Sequence, residues 1–148
     1  MEIKQELCDE TVDEAKLKAV EAKLKVGLPK IYRDFLQTTN GGKPVNSKFR
    51  FKSSAGTEED STVHYFFGLC SGRVGDLLAK YELYKGRIPL GHLPIATDPF
   101  GNLILIRFLG QDPPVFFWDH EKELDEPSSS NVSPVAMSLS EFIANLKP

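Results

Sequence analysis

Most of the motifs that would announce a chemistry are missing from this chain. It has no Gly-x-Ser-x-Gly nucleophile elbow, no phosphate-cradling loop and no dinucleotide fingerprint, which removes the commonest routes to acyl-transfer, nucleotide-dependent and hydride-transfer activity. Cysteine is scarce. Cys8 and Cys70 are the only two, no Cys-x-x-Cys or Cys/His cluster exists, and neither a metal nor another cofactor is expected. In a chain of this size the pair is expected as two reduced thiols. A basic excess is lacking as well: the formal net charge is −3, so no nucleic-acid partner is expected. No apolar run approaches the length of a membrane span, and Met1-Glu2-Ile3-Lys4-Gln5-Glu6 lacks the basic flank and apolar stretch of a signal peptide. A cytoplasmic protein with no membrane partner follows as the expectation.

What is present fits a globular domain. The 148 residues are 41% hydrophobic and 26% charged, enough for one core and one domain over residues 1–148. Ten Phe and four Tyr against a single Trp supply bulky packing material. The charge is unevenly spread. Residues 1–52 carry eleven Lys or Arg and eight Asp or Glu, whereas residues 53–148 carry seven and thirteen. An acidic face toward a basic partner is therefore expected from the later part of the chain.

Apolar periodicity predicts a first helix over about 11–26, with Leu17, Val20 and Leu24 on one stripe and Gly27 at its end. A second helix begins at Pro29, carries Ile31, Tyr32, Phe35 and Leu36, and stops at Asn40-Gly41-Gly42, where the backbone tolerates the left-handed conformation. Phe49-Arg50-Phe51 and Val63 to Phe67 read as strands, with a polar loop over 53–61 between them. A third helix is expected over about 73–85, with Val74, Leu77, Leu78 and Tyr81 on its stripe. Leu93 to Thr97 and Leu103 to Ile106 flank the turn Asp98-Pro99-Phe100-Gly101-Asn102, in which Gly101 takes a positive φ and Asn102 a strained dihedral. Leu103 to Ile106 and Val115 to Trp118 are apolar without a break, which places them at the centre of a sheet. Residues 121–131 read as a flexible loop. A final helix starts with a capping box, Ser138 with Glu141, and a staple of Met137 on Phe142.

Each polar constellation has a structural reading. Asp98 caps its own turn. Asp119 and Glu121 flank His120 where a buried strand ends, and on a strand His120 points away from both carboxylates. Glu58-Glu59-Asp60 reads as a solvated loop that joins Asp119, Glu121 and Glu123 in a net-negative surface.

The ordered set resembles the SUKH superfamily, which includes the fungal Smi/Knr cell-wall-synthesis regulators and many bacterial immunity proteins. Leu28-Pro29 with Tyr32 and Phe35-Leu36 carries the resemblance, as do Asn40-Gly41-Gly42, Phe66-Phe67-Gly68-Leu69, Pro94-Ile95-Ala96-Thr97-Asp98 and Gly101-Asn102. It continues through Phe117-Trp118-Asp119-His120-Glu121 and from Ser138 through Phe142-Ile143. The resemblance implies an α+β fold, with about four helices packed on one side of a curved, mostly antiparallel sheet of about six strands. It implies a non-enzymatic binding domain with no catalytic residues. It further implies that the partner is a cognate protein toxin, often a nuclease, or in the alternative a cellular target of a regulatory or scaffold domain. Glu58, Glu59, Asp60, Asp119, Glu121 and Glu123 are the expected partner contacts. Pro29, Gly41, Gly42, Asp98, Gly101, Asn102, Ser138 and Glu141 are the expected turn and cap residues. A third reading, a small hydrolase, would use Asp98, Asp119 and His120.

Overall fold

The computed structural model describes residues 1–148. In chain order the elements are β1 (Ile3–Gln5), α1 (Glu14–Leu24), α2 (Lys30–Thr38), β2 (Lys43–Pro44), β3 (Lys48–Lys52), β4 (Glu58–Thr62) and β5 (Tyr65–Phe66). There follow α3 (Leu77–Tyr84), β6 (His92–Thr97), β7 (Leu103–Arg107), β8 (Val115–Trp118), β9 (Val132–Ala136) and α4 (Leu139–Ala144), with a 3-10 turn at His120–Lys122 before β9. The α+β class and the four helices are as expected. The strands divide into a five-stranded antiparallel sheet in the order β5-β6-β7-β8-β9 and two separate antiparallel pairs, β1-β2 and β3-β4.

Register explains how the core fills. Phe66, Ala96, Ile104 and Phe117 lie in one row across the sheet, because each is paired with the next. That row faces Phe35 of α2, Phe142 of α4, and Phe49 and Phe51 of β3: Phe66 meets Phe35 at 5.1 Å between ring centroids, and Phe117 meets Phe51 at 4.5 Å. The alternate row, with Tyr65 and Trp118, faces the other way. Tyr84, at the end of α3, packs edge-on against Trp118 there. Both faces are thus covered, and α3 lies opposite α2 and α4 rather than on a common side. Leu103 to Ile106, in the middle strand, are all buried, as their unbroken apolarity implies.

Loops finish helices that cannot finish themselves. Pro29 precedes α2 as its N-cap rather than occupying its first turn, and it offers no side-chain acceptor. Gln111, in the β7–β8 turn, supplies both needed oxygens: its carbonyl accepts from Ile31 N–H (2.9 Å) and its Oε1 from Lys30 N–H (2.7 Å). In the same turn Asp112 Oδ1 accepts from Ser140 N–H at the start of α4 (3.0 Å). Ser138 Oγ accepts from Glu141 N–H (3.1 Å), but the Glu141 carboxylate makes no return bond, so only half of the expected capping box forms. Met137 stands 86% exposed, and the expected staple on Phe142 is absent.

Other boundaries shift for local reasons. α1 closes at Lys25, which itself takes φ 57°, so Gly27 has no cap to provide. α3 begins at Leu77 because Asp76 caps it, accepting from Leu78 N–H; Val74 is left outside, 70% exposed. The expected strand 63–67 contracts to Tyr65–Phe66. Residues 58–62 are not a loop: Glu58 to Thr62 pair with Lys48 to Lys52, setting Glu58 opposite Lys52 and Asp60 opposite Arg50. Cross-strand charge pairs let so polar a segment hold an extended ribbon. β9 escapes the sequence pattern because Ser133 and Pro134 interrupt it. Proline is tolerated there because β9 ends the sheet.

The expectation of two free thiols is overturned. Cys8 and Cys70 form a disulfide, with Cα atoms 5.3 Å apart across 62 residues of sequence. The chain folds the segment before α1 against the segment after β5, a proximity that linear spacing conceals.

At Asn40-Gly41-Gly42 the backbone takes φ values of 42°, 76° and 105°, the left-handed stop that the residue types predict. Asn40 is also a buried tie. Its Nδ2 donates to the carbonyls of Glu10 (3.0 Å) and Leu69 (3.4 Å), and its Oδ1 accepts from Leu69 N–H (2.7 Å).

Candidate apex site

The turn between β6 and β7 is built around one carboxylate. Asp98 is only 3% exposed, yet both of its oxygens are occupied. Oδ1 accepts from Phe100 N–H and Asn102 N–H, each at 2.8 Å; Oδ2 accepts from Asn102 Nδ2 (2.8 Å) and from the Ser61 hydroxyl (3.2 Å). Asn102 Oδ1 then accepts from His120 N–H (3.0 Å). One chain of hydrogen bonds therefore joins β4, the turn and the 3-10 segment. Gly101 takes φ 89° and lies against the His120 ring, whereas Asn102 keeps a negative φ rather than the strained dihedral expected for it. The product of this framework is Phe100, held at the apex and 73% exposed. Turn chemistry favours polar residues at such a tip, so the aromatic residue was itself a legible signal that the sequence reading passed over.

The expected acidic contacts are in different states. Glu58 and Asp60 share the exposed face of the β3–β4 ribbon with Arg50 and Lys52. Asp60 is bonded to Arg50 at 2.7 Å. Glu59 lies on the opposite, half-buried face beside Ser61, without an ion partner. Asp119 caps the 3-10 turn, accepting from Glu121 N–H at 3.0 Å. Glu121 is exposed and makes no side-chain bond. Glu123 is committed elsewhere, to Arg87. Some of this negative charge is thus neutralised from within, and Glu58, Glu59 and Glu121 are the three carboxylates without an ion-pair partner. In the constellation Asp98, Asp119 and His120, both Asp98 oxygens are taken by donors and Asp119 Oδ1 by its cap, and no hydrogen bond links either carboxylate to the His120 ring.

Fold order, the glycine stop after α2 and the Asp98 turn all fall within residues 11–145, the span matched by the family model described as SMI1 / KNR4 family (SUKH-1). The chain belongs to the SMI1/KNR4 family (SUKH-1). No curated protein matches it.

In this SUKH domain the segment after the 3-10 turn is pinned at its two ends. Its neck closes where Asp119 N–H donates to the Asn131 carbonyl (3.0 Å) and Asn131 Nδ2 to the Asp119 carbonyl (2.9 Å). Arg87 grips its first residue. The guanidinium makes a two-pronged bond to Glu123, both distances 2.9 Å, and lies over the rings of Tyr84 (4.7 Å) and Trp118 (5.7 Å). Arg87 went unnoticed in sequence because nothing local links it to Glu123.

The Arg87 bond, first among the causes, holds the Glu123 carboxyl below its ordinary value of 4.5. A carboxyl with a depressed folded-state pKa stabilises the fold fully above its unfolded value and ceases to do so as pH falls through the folded value. The stability advantage of the wild type over Glu123→Gln should therefore be constant above about pH 5 and shrink in acid. Denaturant titrations across pH, followed by emission of the single tryptophan, measure it; parallel curves for the two proteins would refute the pairing.

Proposed function

We propose that this SUKH domain is an immunity protein: a non-enzymatic domain that neutralises a toxin, of nuclease type, by binding it directly in the cytosol. Family membership over residues 11–145 carries the reading, since domains of this family often serve in immunity. The apex supports it physically. An aromatic residue whose backbone is fixed by its turn loses less freedom on docking, which suits an energetic anchor. The unpaired carboxylates Glu58, Glu59 and Glu121 suit a basic partner. Nucleases carry basic surfaces for their phosphate substrate, and opposite charge raises the association rate. Asp60, Asp119 and Glu123 contribute as a rim or as its support.

The test is co-expression and binding with the toxin encoded beside this chain. Phe100→Ala should weaken the complex by about tenfold or more, and leave the melting curve unchanged because the side chain is exposed. Glu121→Lys should slow association at low salt and less so at high salt. Absence of both a complex and protection at high concentration would end the immunity reading in favour of a regulatory or scaffold role. A complex indifferent to Phe100→Ala would keep the reading and move the interface.

A further inference from the structure

We propose that Cys8 and Cys70 form a redox latch on the amino-terminal arm, closed as a disulfide and opened by a dithiol reductant.

Position within the fold carries the inference. Both sulfur atoms are buried, at 5% and 3% residue exposure, but neither cysteine belongs to the thirty-residue core cluster. They join residues 1–13 before α1 to residues 68–76 before α3, segments that enter the core only through Val12 and Leu69. Val12, at the base of the arm, enters the core and Leu7 packs against it; apart from these and the disulfide, the arm up to Glu10 is held lightly. β1 pairs with β2 through only Ile3 with Pro44 and Gln5 with Lys43. The Glu10 carbonyl accepts from Asn40 Nδ2, the Leu7 side chain rests near Gly75, and Asp9 meets Arg73 in an exposed pair at 3.4 Å. Such contacts fray readily when no covalent tie backs them. The body of the fold does not depend on them, since its aromatic rows and central strand are built from other residues.

Opening is a two-electron exchange. A thiolate of the reductant attacks one sulfur, the Cys8–Cys70 bond breaks, and the second reductant thiol resolves the mixed disulfide. Cys8 and Cys70 each end as a thiol, and the reductant closes into its own cyclic disulfide. The released arm uncovers the edge of β2, whose other side is bridged to Phe66 through Gly42. An open strand edge is a pairing surface.

The test compares the full chain oxidised and reduced with dithiothreitol, using brief hydrogen–deuterium exchange read by mass spectrometry. On reduction, residues 1–10 should exchange at least about tenfold faster, while Leu103 to Ile106 stay protected over the same labelling time and Trp118 emission is unchanged. The double variant Cys8→Ala, Cys70→Ala should match the reduced protein in either buffer; should it fail to accumulate, the reduced wild type alone decides. Equal arm exchange in the two states would overturn the latch. So would unfolding throughout on reduction, which would make the bond a global staple. Two titratable thiols in the oxidised, denatured protein would overturn it too, since no bond would have formed.

Discussion

Gly41→Ala is expected to lower the unfolding free energy by about 3–5 kcal/mol, enough to abolish most of the stability of a domain of this size. Two costs combine. Residue 41 sits at φ +76°, where a side chain is strained whatever the room around it. There is also no room: a Cβ would stand 2.7 Å from the Phe66 carbonyl oxygen and 2.8 Å from the Phe67 carbonyl carbon and oxygen. These are backbone atoms of the sheet's first strand and its continuation, tied by the exchanged Gly42–Phe66 hydrogen bonds at 3.0 and 2.9 Å. They cannot yield without pulling that strand from Ile95 and Ala96. Gly56→Ala is the control. It shares a positive φ, +83°, but nothing lies within 4 Å of its Cβ position, so only the strain of about 1 kcal/mol should appear. Denaturant midpoints measure both. A Gly41→Ala loss no larger than that of Gly56→Ala would show that the close approach is not rigid.

Asp98→Ala should cost about 3 kcal/mol and blunt the apex as well. The substitution strands the N–H groups of Phe100 and Asn102, the Asn102 amide and the Ser61 hydroxyl in a site from which water is largely excluded. Asp98→Asn is the sharper probe. Its single oxygen can retain the two backbone donors, but its amide must then face the Asn102 amide. Asn102 cannot turn over without giving up His120 N–H. An intermediate loss is therefore expected, and under the proposed function affinity for the partner should fall in step. Chemical denaturation gives the stability and calorimetry the affinity. Wild-type stability in Asp98→Asn would mean that the network reorganises freely and does not hold Phe100.

Much of this architecture was legible because local chemistry and tertiary need agree. Asn40-Gly41-Gly42 stops α2 in sequence and in space, and unbroken apolarity put Leu103 to Ile106 mid-sheet. Agreement fails where a partner distant in sequence supplies what the local segment lacks. Glu58 to Thr62 look like solvent loop until Lys48 to Lys52 lie alongside. α2 gets its cap from Gln111, Glu123 its cation from Arg87, and Cys8 its mate from Cys70. The candidate site divides along the same line: carboxylates were readable as acidic, but whether each was free, capping or paired depended on neighbours that only the fold brings near. Phe100 was overlooked for a different reason, because every other residue of its turn had a sufficient local explanation.

The Asp119–Asn131 neck carries an evolutionary consequence. Everything between 124 and 130 hangs from two reciprocal amide bonds, and no residue of that span enters the core. Closing a longer span costs little more, because the entropy grows only with the logarithm of its length. Here, then, a lineage can insert, delete or rewrite residues cheaply, diversifying the surface at one edge of the domain while the scaffold beneath it is inherited unchanged.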